Sequence, residues 1–331
     1  MWKIIECAVQ GRGHIKEDIP CQDKTFSLIN DGINVIALAD GAGSAKLSHI
    51  GAQRVTQFIC SDLSDNFEDY FSSCDGVLVK KELMSKIMVE IDSLSREHNC
   101  EIKDLASTLM FVAVKGDCFI IFHIGDGVVG YLKNNELKIA SLPENGEFTN
   151  TTIFTTSSDA LMTLKLIKGR LKDISGFVLM SDGTETSLYN KNKKTLADAL
   201  KRIMNLCTVV PSEKIEEKLQ SSFENVIKYA TMDDCSIAIM VKENPDFKGY
   251  LYLDNFEKAR LLNLKYANST GKRLRKFDEI LDYLRNEHTL KEISRVVFLK
   301  PKFARKTLNV LLNANLVEKR NSKYHTIVIM D

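Results

Sequence analysis

Four short carboxylate-bearing segments lie far apart in this chain: Ala39-Asp40-Gly41-Ala42-Gly43-Ser44, Gly125-Asp126-Gly127, Ser181-Asp182-Gly183 and Asp233-Asp234-Cys235-Ser236. Asp40 and Asp182 each follow a short apolar run, Val35-Ile36-Ala37-Leu38 and Phe177-Val178-Leu179-Met180. The Asp233 pair precedes one, Ile237-Ala238-Ile239-Met240. A single strand-tip Asp beside Gly is ordinary turn chemistry. Several such carboxylates, gathered at strand tips with glycines that let the backbone come close, can instead surround hard divalent cations with oxygen. Two bridged cations of that kind suit phosphate monoester hydrolysis. They lower the pKa of a shared water and neutralise the phosphoryl oxygens, so that no covalent protein nucleophile is needed.

The elements that must position these residues read as alternating β pairs and helices. Strands are expected at 3–9, 24–29, 33–39, 107–115, 117–124, 127–133, 136–140, 148–154, 174–180 and 235–242. Helices are expected at 46–62, 80–97, 195–206 and 212–229, the second with Leu83, Ile87, Ile91 and Leu94 on one face. Two β layers with helices outside them fit this inventory, as do other α+β folds.

The segment Glu243 to Gly249 contains Pro, Asp and Gly and reads as a linker, after which the pattern changes. Helices are expected at 254–266 and 274–286, the latter with Leu274, Phe277, Ile280, Leu281 and Leu284 as a stripe. A further stripe is Leu290, Ile293, Val296 and Val297. Pro301 opens a helix near 302–314 with Leu308, Leu311 and Leu312, and Leu316 to Met330 reads as a hairpin. Three helices followed by a hairpin resemble a winged-helix domain. The expected domains are thus 1–243, a linker at 244–253, and 254–331.

Composition sets bounds on function. The chain has 331 residues, a hydrophobic share of 44% and a formal net charge of +1, which suits one large domain plus a small one and neither a polyanion-seeking nor an acidic protein. The average hides an asymmetry: residues 271–331 carry 14 Lys+Arg against 7 Asp+Glu, and residues 1–270 carry 31 against 37. Eight cysteines form no Cys-x-x-Cys pair, so neither a disulfide framework nor a structural zinc site is expected. No apolar run approaches the ~20 residues of a membrane span, and no N-terminal signal is visible, which gives the expectation of a reduced cytoplasmic protein with no membrane partner.

The order of the motifs carries more than any one of them. Gln22-Asp23, Ala-Asp-Gly-x-Gly-Ser from Ala39, Ala106-Ser107-Thr108, Gly125-Asp126-Gly127, Ser181-Asp182-Gly183 and Asp233-Asp234-x-Ser236 resemble the metal-dependent protein phosphatase family, protein phosphatase 2C, over roughly the first three quarters of the chain. Gly13-His14 followed by Pro20-Cys21-Gln22-Asp23 is similar to a bacterial branch. The resemblance implies an α+β fold, a four-layer α-β-β-α sandwich, followed here by the small winged-helix-like domain. It implies two Mn2+ or Mg2+ ions, with a weaker third. Asp40 would bridge both ions, the Gly41 carbonyl would join the second, Asp182 and Asp233 would complete the first, and Asp126 matches the additional site. Asp23 would hold metal-bound water. Asp234 stands where the family usually has Asn, and a one-residue shift would exchange it with Asp233.

Two departures matter. Gln22 stands where the family commonly has an acid, so the second ion gains an oxygen but no charge. Ala42 stands where the family often has His, so that proton donor is missing; metal-bound water or His14 could substitute, His14 being either in the site or a turn cap. The phosphate-gripping Arg has no clear match. Arg12 and Lys16 are nearby, each read as a solvated loop cation, and His123 reads as a packed strand residue.

The resulting expectation is a Ser/Thr phosphoprotein phosphatase, acting on a phosphoprotein substrate and paired with a cognate Ser/Thr kinase, with a C-terminal docking or regulatory module. The rivals are a catalytically silent adaptor and a DNA-binding regulator with a phosphatase-like sensor. Lys302, Arg305, Lys306, Asn309, Lys319, Arg320 and Lys323 lie where a winged helix would meet DNA, but the helix lacks clustered base readers, and docking is favoured over nucleic acid.

Overall fold

In the computed structural model, the structure describes residues 1–143, 152–191, 193–209, 212–243, 250, 253–265, 270–314 and 316–326. The chain forms two compact units: residues 2–201 with 212–241, and Met1 with 202–211 and 242–331.

The first unit runs β1 (Trp2–Val9), α1 (Arg12–Glu17), β2 (Lys24–Asn30), β3 (Ile33–Ala39), α2 (Ser48–Ser72), α3 (Gly76–His98), β4 (Leu109–Lys115), β5 (Cys118–Ile124), β6 (Val128–Lys133) and β7 (Glu136–Ser141). It continues with α4 (Ala160–Thr163), β8 (Lys165–Arg170), β9 (Ile174–Met180), α5 (Glu185–Leu188), β10 (Tyr189–Asn190), β11 (Thr195–Leu196), the start of α6 (Asp198–Val209), α7 (Ser212–Asn225) and β12 (Cys235–Lys242).

Two five-stranded sheets result, ordered β1-β12-β9-β6-β7 and β2-β3-β4-β5-β8. Strand parity divides the core. On β3 and β4, Ile36, Leu38, Met110, Val112 and Val114 join Phe177, Leu179, Ala238 and Met240 of the other sheet in one apolar cluster. Their alternates Val35, Ala37, Phe111 and Ala113 join Val55, Ile59, Leu63, Leu83, Ile87 and Ile91 of α2 and α3 in another. A strand that serves two layers reads as an unbroken apolar run, which is why β3 was legible as buried.

Several elements differ from expectation. Helix α2 continues ten residues past 62, through a segment poor in helix formers, because Phe67 and Tyr70 are buried and the Tyr70 hydroxyl and Lys86 ammonium both bind Asp62, at 2.5 and 2.9 Å. Helix α3 starts at Gly76, where the Asp75 carboxylate caps the amides of Val77 and Leu78. The short α1 was not expected, nor was β8, an edge strand paired with β5 whose lysines and arginine mask its apolar content. The strand expected at 148–154 lies partly outside the described residues, and 152–154 belong to no regular strand. Residues 195–196 pair with 189–190 as a ribbon, so α6 begins at Asp198, and α7 ends at Asn225 rather than 229.

In the second unit, α8 (Asn255–Leu261) is held by an Asp254–Glu257 capping box. It ends before 266, since Asn263 turns left-handed (φ 51°) and the Leu264 amide returns to the Ala259 carbonyl. Then come α9 (Thr270–Tyr283), β13 (His288–Thr289), α10 (Leu290–Val296), α11 (Pro301–Asn313), β14 (Val317–Arg320) and β15 (Lys323–Thr326), with the three strands in the order β13-β15-β14. Leu274, Phe277, Ile280, Leu281, Leu284, Ile293, Val297, Leu308 and Leu311 are buried. Val296 is not: it is 47% exposed, because α10 buries the i, i+4 pair Ile293 and Val297 and turns Val296 outward. Within the expected linker, 244–249 and 251–252 lie outside the described residues, while Tyr250 is fully buried and its hydroxyl donates to Asp278 at 2.8 Å. Residues 327–330 of the expected hairpin also lie outside the described residues. Among the described residues, no helix is long and apolar enough to cross a membrane.

Candidate metal centre

The carboxylates stand at strand ends because antiparallel pairing brings those ends together. Asp40 follows β3 and is latched by the neighbouring chain. Its amide donates to the Thr108 hydroxyl at 2.9 Å, its carbonyl accepts from the Thr108 amide at 2.8 Å, and the Ala42 amide donates to Ala106 at 2.9 Å. The Ala106-Ser107-Thr108 motif is therefore a clamp on the Asp40 loop. Asp126 occupies the turn between β5 and β6. Gly125 takes φ +114° there, and a Cβ would fall 2.5 Å from the Thr108 side chain, so glycine is required on both counts. Asp182 begins a single turn after β9, and a Cβ on Gly183 would lie 1.8 Å from the Asp234 carbonyl oxygen.

Asp40, Asp126 and Asp182 each offer a carboxylate oxygen within 4.8 Å of the others. Asp233 lies closely enough to raise the pKa of Asp40 and Asp182, and its carboxylate groups within 4.8 Å with His14 and Asp234. Asp23 is buried just behind, its carboxyl beside the Ser181 and Ser236 hydroxyls.

Crowding of like charges makes the electrostatics one-sided. Asp40 is surrounded by protein, with part of its surface open to the site mouth. Its carboxyl is held well above the ordinary range by burial first, then by Asp23, Asp182, Asp233 and Asp126. Asp182 is pushed up to about 7 by burial, Asp126, Asp233 and Asp23. Asp23 is pushed up to about 6 by burial and Asp234, against the serine hydroxyls that favour its ionised form.

The hydrogen-bond inventory points the same way. Gln22 Oε1, both carboxylate oxygens of Asp23, Asp126 Oδ1 and Asp182 Oδ1 are buried acceptors lacking a well-formed hydrogen bond. Acceptor-only groups gathered without donors fit hard divalent cations, which prefer oxygen ligands. The donor set is all oxygen, which suits Mg2+ or Mn2+ better than a zinc site of His and Cys. The cysteines bordering the site, Cys21 and Cys235, are pushed up to about 12 by burial and nearby carboxylates, so neither is a thiolate nucleophile.

The remaining expected residues fall as follows. Gln22 is 3% exposed; its amide donates to Asp234 and its carbonyl accepts from Gly41 at 3.3 Å, stitching the Gln22 and Asp40 segments together. His14 has Nδ1 2.9 Å from Asp234 Oδ2. Arg12 is not a solvated loop cation. It lies on α1, its guanidinium donates to the carbonyls of Thr231 and Tyr229 at 3.1–3.2 Å, and it stacks over the Tyr229 ring. Lys16 is exposed. His123 is a core residue of β5, with Nδ1 2.7 Å from Ser141 and a pKa pushed down to about 3 by burial. Ala42 packs with Ala45, Ala106 and Phe154 in a small apolar cluster.

Sequence reasoning missed four contributors. The Thr152 hydroxyl donates to Asp126 Oδ2 at 2.5 Å, and Ser181 with Ser236 brackets Asp23. Lys191 lies 2.5 Å from the buried Glu185, with its ammonium in the field of Asp182 and Asp126. The serines sit inside the quoted motifs and could have been weighed; Thr152 and Lys191 carry no local signal.

Two antiparallel sheets with acceptor-lined strand ends form a scaffold suited to divalent cations, and comparison with known proteins identifies it further. Residues 10–222 match the family model "Protein phosphatase 2C", and the chain belongs to that family. It is 26% identical over 196 residues to serine/threonine-protein phosphatase 3 of Escherichia coli strain K12, spanning 57% of this chain and 76% of that one. The fold is similar to a bacterial serine phosphatase (TM-score 0.54, 15% identity, 73% of this chain and 98% of that one). It is also similar to the serine/threonine phosphatase Stp1 from Staphylococcus aureus (TM-score 0.53, 15% identity, 73% and 96%). The protein is thus a metal-dependent protein serine/threonine phosphatase that uses Mn2+ or Mg2+.

Proposed function

We propose that this protein hydrolyses phosphoserine and phosphothreonine in a phosphoprotein substrate at the Asp40–Asp126–Asp182 centre, on a four-layer α-β-β-α sandwich. The observation that carries this reading is the convergence of Asp40, Asp126 and Asp182 carboxylate oxygens within 4.8 Å, with buried acceptor oxygens on Asp126, Asp182, Asp23 and Gln22 that lack a well-formed hydrogen bond. Asp40, Asp182, Asp233 and the Gly41 carbonyl would hold two cations, and Asp126 would serve an additional, weaker site. When bound, the ions supply the positive charge that acidifies a water and neutralises the phosphoryl oxygens. Asp23, beside the Ser181 and Ser236 hydroxyls, would orient water at the centre, and Gln22 would contribute an uncharged oxygen. His14, with Nδ1 2.9 Å from Asp234, would return a proton to the leaving alkoxide.

The second unit is read as a winged helix, supported by the order α9-β13-α10-α11-β14-β15 and a three-stranded sheet. Its role is docking. A cavity of about 300 Å3 between α9 and α11 mixes Phe277, Leu299 and Phe303 with Arg273, Lys276 and Lys306, a composition suited to a protein surface. A cytoplasmic setting and a cognate Ser/Thr kinase accompany the reading of a reversible phosphoprotein switch.

Hydrolysis of an aryl phosphate tests the core claim. Turnover is expected with Mn2+, none in excess EDTA, and a loss of ~10²-fold or more in Asp182→Asn. Full activity in EDTA overturns the mechanism, and inactivity under all metal conditions favours the silent adaptor.

A further inference from the structure

A second feature lies beside the carboxylate centre in the same unit. A groove of about 890 Å3 runs between β7 and the ribbon β10-β11. Among the described residues, strand β7 is the last strand of its sheet, so one side of its backbone has no strand partner among them. The facing wall carries Tyr189, Leu196, Lys193 and Lys194, and Lys201 closes the far end from α6. Four lysines line the groove against two carboxylates, and one of those carboxylates, Glu136, is already paired with Lys138 at 3.0 Å. Among the described residues, no ion pair holds Lys193, Lys194 or Lys201. The groove therefore carries uncompensated positive charge beside a free strand edge.

Its lining is joined to the reaction centre by covalent continuity. Thr186 and Ser187, which line it, lie on α5, and α5 begins three residues after Asp182. The ribbon that walls the groove continues into Lys191, whose ammonium pairs with Glu185 and lies in the field of Asp182 and Asp126. An extended peptide whose phosphorylated residue reaches Asp182 would have its flanking residues along this groove. The unpartnered edge of β7 offers main-chain donors and acceptors at strand spacing, and the lysines offer charge.

From this juxtaposition we propose that the groove between β7 and β10-β11 binds an extended acidic segment flanking the phosphorylated residue, so that the enzyme prefers phosphoproteins with Asp or Glu beside the target Ser or Thr. The proposal rests on the phosphatase reading and deepens it. The occupant is acidic because the exposed Lys193 and Lys194 and the half-buried Lys201, without acidic partners among the described residues, attract anionic chain and repel basic chain. It is extended because the groove is bounded by two strands. Each exposed charge contact contributes a few-fold at most, so several must act together, and the preference must weaken as salt rises.

Phosphothreonine peptides with acidic, neutral and basic flanks, assayed beside an aryl phosphate, test this with the full chain. The acidic peptide is expected to exceed the neutral one by about 10-fold in kcat/KM at low salt, with most of that difference gone near 0.5 M salt. The double variant Lys193→Glu/Lys194→Glu is expected to erase or invert the order while aryl phosphate turnover stays within about 2-fold of wild type. A parallel binding arm uses a fluorescent, unphosphorylated Glu-rich peptide in EDTA, read by anisotropy, with weaker binding expected for the variant. Equal kcat/KM across the three flanks, or a preference that survives the charge reversal, overturns the groove assignment and leaves the phosphatase reading intact. If wild type hydrolyses no aryl phosphate with Mn2+, the phosphatase reading falls, and the groove then stands or falls on the binding arm alone.

Discussion

Two acidic clusters lie side by side in the catalytic unit, and their hydrogen bonding is opposite. In the Asp40–Asp126–Asp182 cluster, buried oxygens lack donors and like charges face one another. In the Asp233–Asp234–His14 cluster, Asp234 is 1% exposed yet fully engaged: Oδ1 accepts the Gly11 amide at 2.6 Å, Oδ2 the Gln22 amide at 2.5 Å, and His14 lies 2.9 Å away. The first cluster is held apart by backbone clamps and needs a cation. The second is itself a clamp, tying the N-terminal segment to the start of β12. The difference separates two adjacent aspartates: both carboxylate oxygens of the buried Asp234 accept backbone amides, whereas the exposed Asp233 accepts the Asp234 amide at 2.8 Å through Oδ1 and adds its charge to the field at Asp40.

Removing one carboxylate from each cluster should therefore give opposite results. Asp40→Ala is expected to lower kcat/KM for an aryl phosphate by ~10³-fold or more, since losing a carboxylate proposed to hold the metal ions would remove several kcal/mol of transition-state stabilisation. The same change relieves repulsion among Asp23, Asp126 and Asp182, so Tm in EDTA should hold or rise. Asp234→Ala leaves two buried amides without acceptors and should cost about 3 kcal/mol of stability by denaturant unfolding. An Asp40→Ala protein that unfolds more easily in EDTA, or an Asp234→Ala protein of wild-type stability, would erase the distinction.

Acidity distinguishes the clusters next. Asp40, Asp182 and Asp23 all have folded pKa values raised above the ordinary ~3.9 of an unfolded Asp. Their contribution to metal-free stability is fully present below that value and is lost as pH rises through about 6 for Asp23 and about 7 for Asp182. Tm in EDTA should then fall from about pH 5 to about pH 8, and saturating Mn2+ should abolish or reverse the trend, because cation binding requires ionised carboxylates and releases protons. Calorimetry of Mn2+ binding at pH 7 in buffers of different ionisation enthalpy measures that release. Zero release would mean that the carboxylates are already ionised, and the crowding argument would fail.

How much of this was legible in the sequence depended on where each residue's partners lie. Asp40, Asp126 and Asp182 were visible because each sits with glycine at the tip of an apolar strand, so local chemistry and tertiary role coincide. The β pairs around them were legible for the same reason, since Ile36 and Val35 serve two cores and leave an unbroken apolar run. The role of Asp234 was only half legible. Its engagement comes from amides more than 200 residues away, which no window around it contains. The extension of α2 to Ser72 depends on Lys86 and Tyr70 meeting Asp62 across two helices, a tertiary effect that overrides weak local propensity. Strand β8 hid its character behind Lys165, Lys168 and Arg170, as edge strands do. Arg12 looked solvated because its acceptors, the carbonyls of Tyr229 and Thr231, belong to the far end of the unit.

The smallest expected effect sharpens the comparison most, because it acts at the seam between the clusters. Gln22 belongs to both: its amide serves Asp234, while its side-chain Oε1 is a buried acceptor without a donor. A Gln22→Glu substitution keeps the shape and the backbone bond and adds one negative charge on the side of the cation centre. In the metal-free protein that charge joins an already crowded set, so Tm in EDTA should drop slightly. With Mn2+ present the added carboxylate should tighten binding by about 10-fold, the equivalent of ~1.4 kcal/mol, and lower the metal concentration needed for half-maximal turnover in step. The two effects must appear together, since both arise from one charge at one place. Tighter Mn2+ binding by calorimetry with unchanged Tm in EDTA would place Gln22 beside a cation but away from the crowded carboxylates. A lower Tm with unchanged Mn2+ affinity would place it within the Asp234 clamp alone and remove it from the metal centre.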